Sequence, residues 1–430
     1  MSVRRERTSG KSEPPLHRAQ PATARHPAGF APLRARTRPA LLVALIAITH
    51  GTIDGYVAFL HPLLPRIMSR LGLSIAVAAI LVTTLSIASS LLQPLFGYLA
   101  DRHGRRAFLA AGPLVSGVFL SMIGVAPSVA VLLVFLALGG LGSAAFHPPG
   151  ASMVARAADG RGSGVRLSVF SFGGAAGYAA GPLVAVGLVA LVGMEGMWIA
   201  FLPGALLSIL LWRALGRAPA DPSRHPPPSP GRVLRLLRGP LGIVFGVSAL
   251  AAFVQRTFLT LSPIISADAG ASEAAGAVVI SLYLGAQAFG TLLAGVLTDR
   301  IDRRALIGGS MLLALPVHVL AFLAVPAGPL AFGAAMAAGF LNIIVLPPIV
   351  VMAQEIVPEG VSASSGIVMG LAWAVGSLGI PFSGALGDAI GPAAAAAWSM
   401  PVLLVGAALA LHPSLRPFRR PGGTREPGVA

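Results

Sequence analysis

Long apolar segments, separated by short polar ones, fill most of this chain. Each apolar segment has about the 20 residues that an α-helix needs to cross a bilayer. The segments lie at 40–64, 76–100, 107–125, 129–155, 165–191, 195–215, 240–263, 274–298, 305–325, 328–354, 362–386 and 391–412. The pattern therefore predicts an all-α membrane protein with twelve transmembrane helices.

A polar motif recurs in the two halves of this pattern. Its first copy contains Gly97, Asp101, Arg102, Arg105 and Arg106, and its second copy contains Gly295, Asp299, Arg300, Arg303 and Arg304. The offset between the copies is 198 positions (295 − 97). Each copy is predicted to form a tight polar turn between two helices. Such a repeat indicates a duplicated membrane protein, so two pseudo-symmetric six-helix bundles are expected to enclose a solute pathway.

Polar segments rich in proline and arginine divide the chain into its predicted parts. A basic segment at 1–39 is interpreted as a disordered cytoplasmic tail or as an over-long gene start. The first six-helix bundle follows at 40–215. A Pro/Arg-rich cytoplasmic linker at 216–239 leads to the second bundle at 240–412, and a second polar tail occupies 413–430.

The amino-acid composition excludes a water-soluble globular protein. Apolar residues form 55% of the chain and charged residues only 11%, against about 25% charged residues in soluble proteins. The chain contains no cysteine, so disulfides and thiolate metal sites are excluded. The lipid bilayer must be the solvent of this protein.

The net charge of +16 is a topology signal rather than a nucleic-acid footprint. With the N-terminus in the cytoplasm, all but three of the 31 Lys and Arg residues fall on the cytoplasmic side; the exceptions are Arg66, Arg70 and Arg256. Basic residues accumulate on the cytoplasmic side of membrane proteins. We therefore expect a multi-pass protein of the inner (plasma) membrane with both termini cytoplasmic and no nucleic-acid partner.

Ionisable residues inside the first helix are the first candidates for chemistry, since each costs about 2.5–3.5 kcal/mol on insertion scales. His50, Asp54 and His61 have spacings of four and seven, which place them on one helical face. Asp54 lies about 20 Å along this helix. It is expected to couple proton movement or to contact substrate; the alternative is an Asp–His pair that only holds the helix in place.

The seventh helix offers a second polar pair, Gln255 and Arg256. Adding the repeat offset to Asp54 gives position 252, so Arg256 is expected one turn away at a similar depth. Its guanidinium could bind an anionic substrate. It could equally pair with Asp54 across the cavity and hold the outer side shut.

Two further candidates lie in the fourth and tenth helices. His147 precedes Pro148, Pro149 and Gly150, which are expected to break the backbone hydrogen bonding where protein or a water cavity lines the break. His147 could carry a proton, contact substrate or only cap a kink. Glu355 closes the tenth helix and is expected to pair with a basic residue. His318, in the ninth helix, is interpreted as a packing residue.

The repeated motifs are candidates for a conformational latch. Asp101 could accept hydrogen bonds from the free amides at the start of the eleventh helix in one access state only; the alternative is a static loop cap. Gly177, Gly181 and Pro182 in the fifth helix are interpreted as a hinge or seal. A phosphate-binding loop, His-Glu-x-x-His and Gly-x-Ser-x-Gly are all absent from the sequence. We therefore expect no enzyme activity, cofactor or metal.

The motif at 97–106 resembles the signature loop between helices 2 and 3 of the major facilitator superfamily. The Gly177-x-x-x-Gly181-Pro182 sequence resembles the helix 5 motif of its antiporters. The chain is also similar to the fosmidomycin-resistance efflux subfamily in several stretches, namely His50-Gly-Thr-Ile-Asp54, Ser89-Ser-Leu-Leu-Gln93-Pro94, Gly142-Ser-Ala-Ala-Phe146-His147-Pro148, Ser168-Val-Phe170, Gly173-Gly174 and Ala353-Gln354-Glu355. The resemblance covers about residues 40–412.

This resemblance implies two bundles that rock around a central cavity and exchange protons for solute. Asp54 matches the subfamily's helix 1 aspartate, and Arg256 matches a basic residue expected in helix 7. Pro149 replaces a glutamate of the subfamily pattern, and Asp302 replaces the glycine of the second motif.

We therefore expect a proton-driven antiporter that exports a small organic compound or drug, with anions such as phosphonates among the candidates, and works as a monomer. In the expected cycle, protonation frees Asp54 from Arg256, and His50 and His147 relay the proton. The alternatives are an importer or facilitator of an anionic metabolite and, from another class, a membrane sensor that does not transport.

Overall fold

Twelve membrane-spanning helices form the described part of the chain, which covers residues 38–157, 163–216, 229–324 and 328–419 of a computed structural model. The first six are α1 (Pro39–Leu71), α2 (Ile75–His103), α3 (Arg105–Val125), α4 (Val129–Arg156), α5 (Ser163–Gly196) and α6 (Phe201–Ala214). The last six are α7 (Pro240–Asp268), α8 (Glu273–Arg300), α9 (Arg303–Leu323), α10 (Pro329–Ile356), α11 (Ala363–Ile390) and α12 (Pro392–Ala410). The predicted tail at 1–39 lies almost wholly outside the described residues.

The twelve helices appear as eleven continuous apolar stretches, because α5 and α6 are joined within Val165–Ala214. Gly193 separates them with a φ of 75°, which is a left-handed conformation that interrupts an α-helix. A short 3₁₀ turn, Met197–Ala200, then leads into α6. The predicted all-α fold of twelve transmembrane helices in two six-helix bundles is confirmed.

Helix starts follow local sequence signals. Pro39, Pro240, Pro329 and Pro392 occupy the first turn of their helices, where a missing N–H costs nothing. Serines cap other helices; the Ser272 hydroxyl, for example, accepts from the Ala275 N–H of α8 at 3.2 Å. The linker contains one short described helix, Pro230–Leu237, which is also capped by a serine.

The repeated polar motifs form two helix ends with a tight turn between them, and the turn is shorter than the motif. Helix α2 continues to His103, and the turn is Gly104 alone, with a φ of 104° that favours glycine. In the second copy α8 continues to Arg300, and Asp302 stands where the first copy has Gly104. The Asp302 carboxylate caps α9 by accepting from the Arg304 N–H at 2.9 Å.

The two sides of the molecule differ in charge. We call the side that carries the two repeated motifs the basic side and the other the opposite side. Between them, the outward faces of the helices expose large apolar side chains, among them Leu191, Trp198, Phe289, Phe382 and Trp398. Such a band matches the hydrocarbon core of a bilayer.

The two halves of the chain contact each other mainly through α2 with α11 and α5 with α8. At the opposite side the Asp388 carboxylate of α11 accepts from the Ile75 and Ala76 N–H groups of α2 at 2.7 and 3.0 Å. The Arg66 guanidinium of α1 pairs with Glu273 of α8 at 2.7 and 2.9 Å. The hydrogen bonds between halves made by Arg66, Ile75, Thr83 and Arg256 lie at the opposite side or at mid-depth. The halves are thus joined on the opposite side.

Candidate functional site

Asp54 lies at mid-depth in α1 between two histidines. Its Oδ2 is 3.2 Å from Nε2 of His50, one helical turn earlier, and its Oδ1 is 3.1 Å from Nε2 of His147 on α4. The Asp54 and His147 side chains are 21% and 22% exposed, so water can reach them. The sequence predicted the pair within α1, and the fold adds His147. We call His50, Asp54 and His147 the triad.

Each histidine of the triad is held by a backbone carbonyl at its other ring nitrogen. Nδ1 of His50 donates to the Phe170 carbonyl of α5 at 2.8 Å, and Nδ1 of His147 donates to the Ser143 carbonyl at 2.7 Å. The Phe170 ring stacks on His50 with centroids 4.1 Å apart. A second bond at the far ring nitrogen fixes the ring's orientation. The triad is therefore a built arrangement with both Nε2 atoms directed at Asp54.

Glycines bring α5 close enough to α1 to form this arrangement. A Cβ atom on Gly177 would overlap the Gly51 carbonyl oxygen, and one on Gly181 would lie 2.5 Å from that of Gly55. A Cβ on Gly174 would overlap the His50 ring. Gly177 and Gly181 thus serve close packing, as small residues do between membrane helices. Their predicted role as a hinge or seal with Pro182 stays a prediction, and the break in α5 is at Gly193.

Helix α4 does not break at its two prolines, which corrects the expectation for that segment. It runs from Val129 to Arg156 with Pro148 and Pro149 inside. Proline lacks an N–H, so two backbone donors are missing beside His147, but the surrounding helices hold the segment helical. Pro148 also packs against α2, where a Cβ on Gly97 would lie 3.1 Å from its Cβ.

Arg256 faces the first half of the molecule from α7 but does not contact Asp54. Its Nη1 donates to the Tyr178 hydroxyl of α5 at 2.6 Å, and its guanidinium lies 5.7 Å from the Trp373 ring centroid of α11. Within the described chain, the expected pair of Asp54 with Arg256 is wrong for this conformation, because both Asp54 oxygens face histidines. Tyr178 interacts electrostatically with both charged groups and is hydrogen-bonded to Arg256.

Gln255 belongs to a chain of buried amides in the second half. Its Nε2 donates to Oε1 of Gln287 on α8 at 2.8 Å, and Nε2 of Gln287 faces Oδ1 of Asn342 on α10 at 3.3 Å. Asn342 in turn donates to the Ala251 carbonyl at 3.2 Å. These bonds tie α7, α8 and α10 together at the depth of Arg256.

The two remaining membrane histidines lie outside the triad, and His61 interacts electrostatically with Arg256. His318 is fully buried, with Nδ1 on the Ala314 carbonyl at 2.8 Å and Nε2 3.3 Å from the Tyr283 hydroxyl. It packs beside Phe258 and Phe322, as expected for a packing residue. His61 is 1% exposed, one to two turns beyond Asp54 towards the opposite side.

Glu355 lies at the basic end of α10, away from the triad. Its carboxylate accepts from Nη1 of Arg303 at 2.7 Å, and Arg303 is 2% exposed. The expectation that Glu355 pairs with a basic residue is confirmed. Its placement in the proton or substrate cavity is wrong for this structure, because Arg303 holds it at the helix end.

The repeated motifs are only partly equivalent. In the first copy Asp101 forms an ion pair with Arg105. In the second copy the equivalent arginine, Arg303, forms its ion pair with Glu355, and the equivalent aspartate, Asp299, is exposed. Arg102 donates to the Tyr98 hydroxyl at 2.8 Å, and Arg300 is exposed. The contact of Asp101 with the start of α11 stays a prediction.

The last arginine of each motif makes the same contact in both halves. Nε of Arg106 donates to the Trp212 carbonyl at the end of α6 at 2.9 Å, and Nε of Arg304 donates to the Ala410 carbonyl at the end of α12 at 3.3 Å. Trp212 and Ala410 are separated by the repeat offset (410 − 212 = 198). The duplication is therefore visible in a contact as well as in the sequence.

Sequence reasoning missed Tyr178, Trp373, Gln287, Asn342 and Phe170. Tyrosine and tryptophan are rare here, with four of each in the chain, and two of them lie at mid-depth beside Arg256. Polar amides inside apolar helices were a second available signal. Neither signal says which helix faces meet, so only the fold identifies the partners.

The triad is the one cluster of three histidine or acidic groups in the described residues that is compact enough to share a bound cation, with ligand atoms within 4.8 Å of one another. A cavity of about 640 Å³ lies between α1, α5 and α6. It is lined by apolar residues that include Ile48, Val184 and Leu202. These side chains are more than half exposed on the lipid-facing surface. That cavity suits acyl chains of the bilayer rather than polar chemistry.

Comparison with known proteins places this geometry in a family. The model of the Major Facilitator Superfamily matches residues 40–263 and 243–428. The "Uncharacterized MFS-type transporter YfnC" of Bacillus subtilis (strain 168) is 29% identical over 377 residues, which cover 84% of this chain and 90% of the relative. The "Fosmidomycin resistance protein" of Escherichia coli (strain K12) is 29% identical over 367 residues, covering 83% and 88%.

Solved structures share the fold at lower sequence identity. A bacterial homolog to the human lysosomal transporter Spinster, in an inward-facing and occupied conformation, superimposes with a TM-score of 0.71 at 18% identity. The match covers 89% of this chain and 97% of that one. A point mutant of the nucleoside transporter NupG gives a TM-score of 0.71 at 14% identity, covering 86% and 100%.

Proposed function

This chain belongs to the Major Facilitator Superfamily and is a membrane transporter, and from that premise we propose that it is a proton-coupled antiporter. It exports a small organic compound, with an organic anion such as a phosphonate as the preferred class. The observation that carries this proposal is the triad, a partly water-accessible carboxylate held by two histidines at mid-depth.

The proposed orientation follows from charge. Arginines concentrate at the ends of helices on the basic side, and the positive-inside rule makes that side cytoplasmic in the plasma membrane. The halves are joined at the opposite side by Asp388 and Glu273, and we propose that this conformation is the one that opens towards the cytoplasm. This is the state in which an exporter collects its solute.

Proton binding and solute binding are proposed to use different halves of the molecule. The triad on α1 and α4 takes the protons, and Arg256 on α7 takes the anionic group of the solute. Trp373 beside the guanidinium offers an apolar face to the rest of the solute. A bound anion would replace the Tyr178 hydroxyl or join it at Arg256, because a guanidinium has five N–H donors.

We propose that Tyr178 couples the two sites, because it is hydrogen-bonded to Arg256 and interacts electrostatically with Asp54. Protonation of the triad changes its charge, and Tyr178 transmits that change to Arg256 through its hydrogen bond of 2.6 Å. Solute release and proton uptake are thereby linked without a direct Asp54–Arg256 pair. The contacts at Asp388 and Glu273 break when the opposite side opens.

The name of the E. coli relative supports fosmidomycin and related phosphonates as the first solutes to test. Pro149 occupies a position in α4 close to His147. An acidic side chain at this position would bind a cationic or hydrogen-bond-donating group of a solute, and Pro149 does not. The preferred compound can therefore differ from that of the relative.

The test uses purified full-length protein in liposomes with an imposed pH gradient. Fosmidomycin is added, and proton movement is followed with a pH-sensitive dye in wild type and in Asp54→Asn. Solute-dependent proton flux in wild type and its loss in the variant are expected. Asp268→Asn is the control, because Asp268 is an exposed carboxylate at the last turn of α7, outside the triad and the repeated motifs.

Each contrary outcome has a defined meaning. Full proton-coupled transport by Asp54→Asn overturns the role of the triad. Fosmidomycin uptake that ignores the pH gradient supports a facilitator that depends on Arg256. Protein that is folded yet silent towards a broad panel of organic anions supports a membrane sensor.

A further inference from the structure

The hydrogen-bond geometry of the triad indicates how many protons it binds. We infer that the triad is a two-proton site: it holds two exchangeable protons when fully bonded, and the transporter moves two protons per cycle. The transport role rests on the proposed function, while the proton count is a property of the resting protein.

The first step concerns the ring nitrogens that face the backbone. Nδ1 of His50 faces the Phe170 carbonyl at 2.8 Å, and Nδ1 of His147 faces the Ser143 carbonyl at 2.7 Å. A carbonyl oxygen can only accept a hydrogen bond. The Ser143 hydroxyl also lies 3.4 Å from Nδ1 of His147, but the carbonyl is the closer partner. In this geometry both Nδ1 atoms therefore carry a proton.

The second step concerns the nitrogens that face Asp54. A neutral imidazole carries one N–H, so each histidine with a protonated Nδ1 has a bare lone pair at Nε2. At 3.2 and 3.1 Å these lone pairs would oppose the lone pairs of Oδ2 and Oδ1. Each of the two contacts needs one additional proton to become a hydrogen bond.

The count does not depend on where each proton resides. Two imidazolium ions can flank a carboxylate, or one imidazolium can flank a carboxylic acid that donates to the other histidine. In both cases the triad has gained two protons relative to two neutral histidines and one carboxylate. Its net charge passes from −1 to +1 as both are taken up, and both leave to water on the side to which the cavity opens.

The surroundings supply no alternative donor to Asp54. His50 and His147 are the side chains that interact with its carboxylate in the described chain, although α3, α5 and α6 also pack on α1. Tyr178 is the titratable group that α5 brings near, and its hydroxyl is engaged with Arg256 of α7. The two protons must come from solvent.

His318 provides a matched internal control. Its Nδ1 also faces a carbonyl, that of Ala314, at 2.8 Å. Its Nε2, however, faces the Tyr283 hydroxyl at 3.3 Å, and a hydroxyl can donate. His318 therefore needs no additional proton and should remain neutral with the proton on Nδ1.

The deciding experiment is nitrogen-15 NMR of the full chain, labelled at histidine and held in lipid nanodiscs with a metal chelator present. Single His→Asn changes at 50, 147 and 318 assign three of the nine histidines. On raising the pH, His50 and His147 should both keep Nδ1–H while the triad loses two protons. Each lost proton is observed either at Nε2 of a histidine or, with a carbon-13 label at aspartate, at the Asp54 carboxyl group. His318 should keep Nδ1–H unchanged.

Asp54→Asn refines the count. Its amide N–H₂ group can donate to one Nε2 without an added proton, while its oxygen still requires one from the other histidine. The variant should therefore titrate with one proton instead of two. A triad that loses only one proton in wild type, or a histidine that keeps Nε2–H, overturns the inference. So does a spectrum that changes when the chelator is omitted, because a bound cation would then occupy the site.

A second measurement tests the stoichiometry of transport. Liposomes with zero membrane potential are allowed to reach a standing fosmidomycin gradient against a fixed pH difference. Two protons per solute give about a 100-fold gradient per pH unit, and one proton gives about tenfold. His147→Gln should lower the gradient from the first value to the second. If NMR counts two protons and fosmidomycin does not move, the solute assignment fails and the two-proton site stands.

Discussion

Arg256, Tyr178 and the triad show how few side chains carry the polar chemistry of this molecule. Ionisable groups inside a bilayer are costly, so each must be satisfied by a specific partner. His50 and His147 satisfy Asp54, and Tyr178 satisfies part of Arg256. These residues are held in place by small neighbours, among which Gly174 lies directly against the His50 ring. The addition or removal of one atom beside these side chains is therefore expected to shift them.

Gly174→Ala is expected to displace His50 and to weaken proton coupling. The new Cβ would overlap the His50 ring, and overpacking of this kind costs about 1–3 kcal/mol. The measurement is the pH-gradient assay together with the thermal midpoint in detergent. Gly187→Ala on the same helix is the control, since a Cβ there meets nothing within 4 Å. Equal behaviour of the two variants would contradict the prediction.

Tyr178→Phe is expected to destabilise the solute-free protein and to increase the stabilisation gained from a bound anion. Loss of the hydroxyl leaves a donor of Arg256, which is 6% exposed, without its partner, at a cost of about 1–3 kcal/mol. Thermal midpoints with and without fosmidomycin measure both effects. Tyr98→Phe, which removes the partner of the exposed Arg102, should change little. A Tyr178→Phe midpoint equal to wild type would refute the argument.

At the scale of elements, the sequence pattern located helices well and their junctions less well. Apolar runs predicted the helices because backbone groups in lipid must bond within the helix. The repeated motifs were read as turns because they are polar, yet their first residues extend α2 and α8 to His103 and Arg300. A helix that extends beyond the bilayer continues with polar residues. A hydropathy pattern detects only the apolar part of such a helix and misses the polar extension.

Asp388→Ala is expected to loosen the closed opposite side. The carboxylate caps the α2 amides of Ile75 and Ala76, and removal of such a cap costs about 0.5–2 kcal/mol. Because the chain has no cysteine, spin labels at one introduced cysteine in each half can report the distance between α2 and α11. A longer distance should become more populated.

The control for that experiment is Asp268→Ala. Asp268 is an exposed acid on the same side at the last turn of α7, where no free amides need a cap. The exposed Arg66–Glu273 pair should contribute less than Asp388, since surface ion pairs contribute about 0–1 kcal/mol. An unchanged distance distribution in Asp388→Ala would show that apolar packing alone closes this side.

At the scale of the whole molecule, the duplication is preserved in some contacts and lost in others. Arg106 and Arg304 hold the ends of α6 and α12 in the same way. The chemistry differs between halves, since the first carries the triad and the second carries Arg256 with its amide chain. A symmetric scaffold thus carries two different sets of polar side chains, as the proposed separate sites for protons and solute require.

Arg106→Ala and Arg304→Ala are expected to have local and equivalent effects. Each arginine donates to helix-end carbonyls and lies at the negative end of a helix dipole, a contact that contributes about 0.3–1 kcal/mol. Hydrogen exchange should accelerate at the end of α6 in the first variant and at the end of α12 in the second. The double variant should show the sum, because the sites share no partner. Faster exchange at the end of α12 in Arg106→Ala, or at the end of α6 in Arg304→Ala, would contradict equivalent roles of the two arginines.

The sequence by itself determined the fold class, the twelve helices and the duplication, because bilayer thickness and backbone hydrogen bonding translate directly into the length and spacing of apolar segments. It also determined the pair of His50 and Asp54, since i and i+4 positions share a helix face. Only the tertiary structure decided that His147 completes the triad, that Arg256 bonds Tyr178 rather than Asp54, and that Glu355 belongs to Arg303. Those contacts join helices far apart in the chain, and the rotation of each helix about its axis is set by packing, which no local pattern encodes.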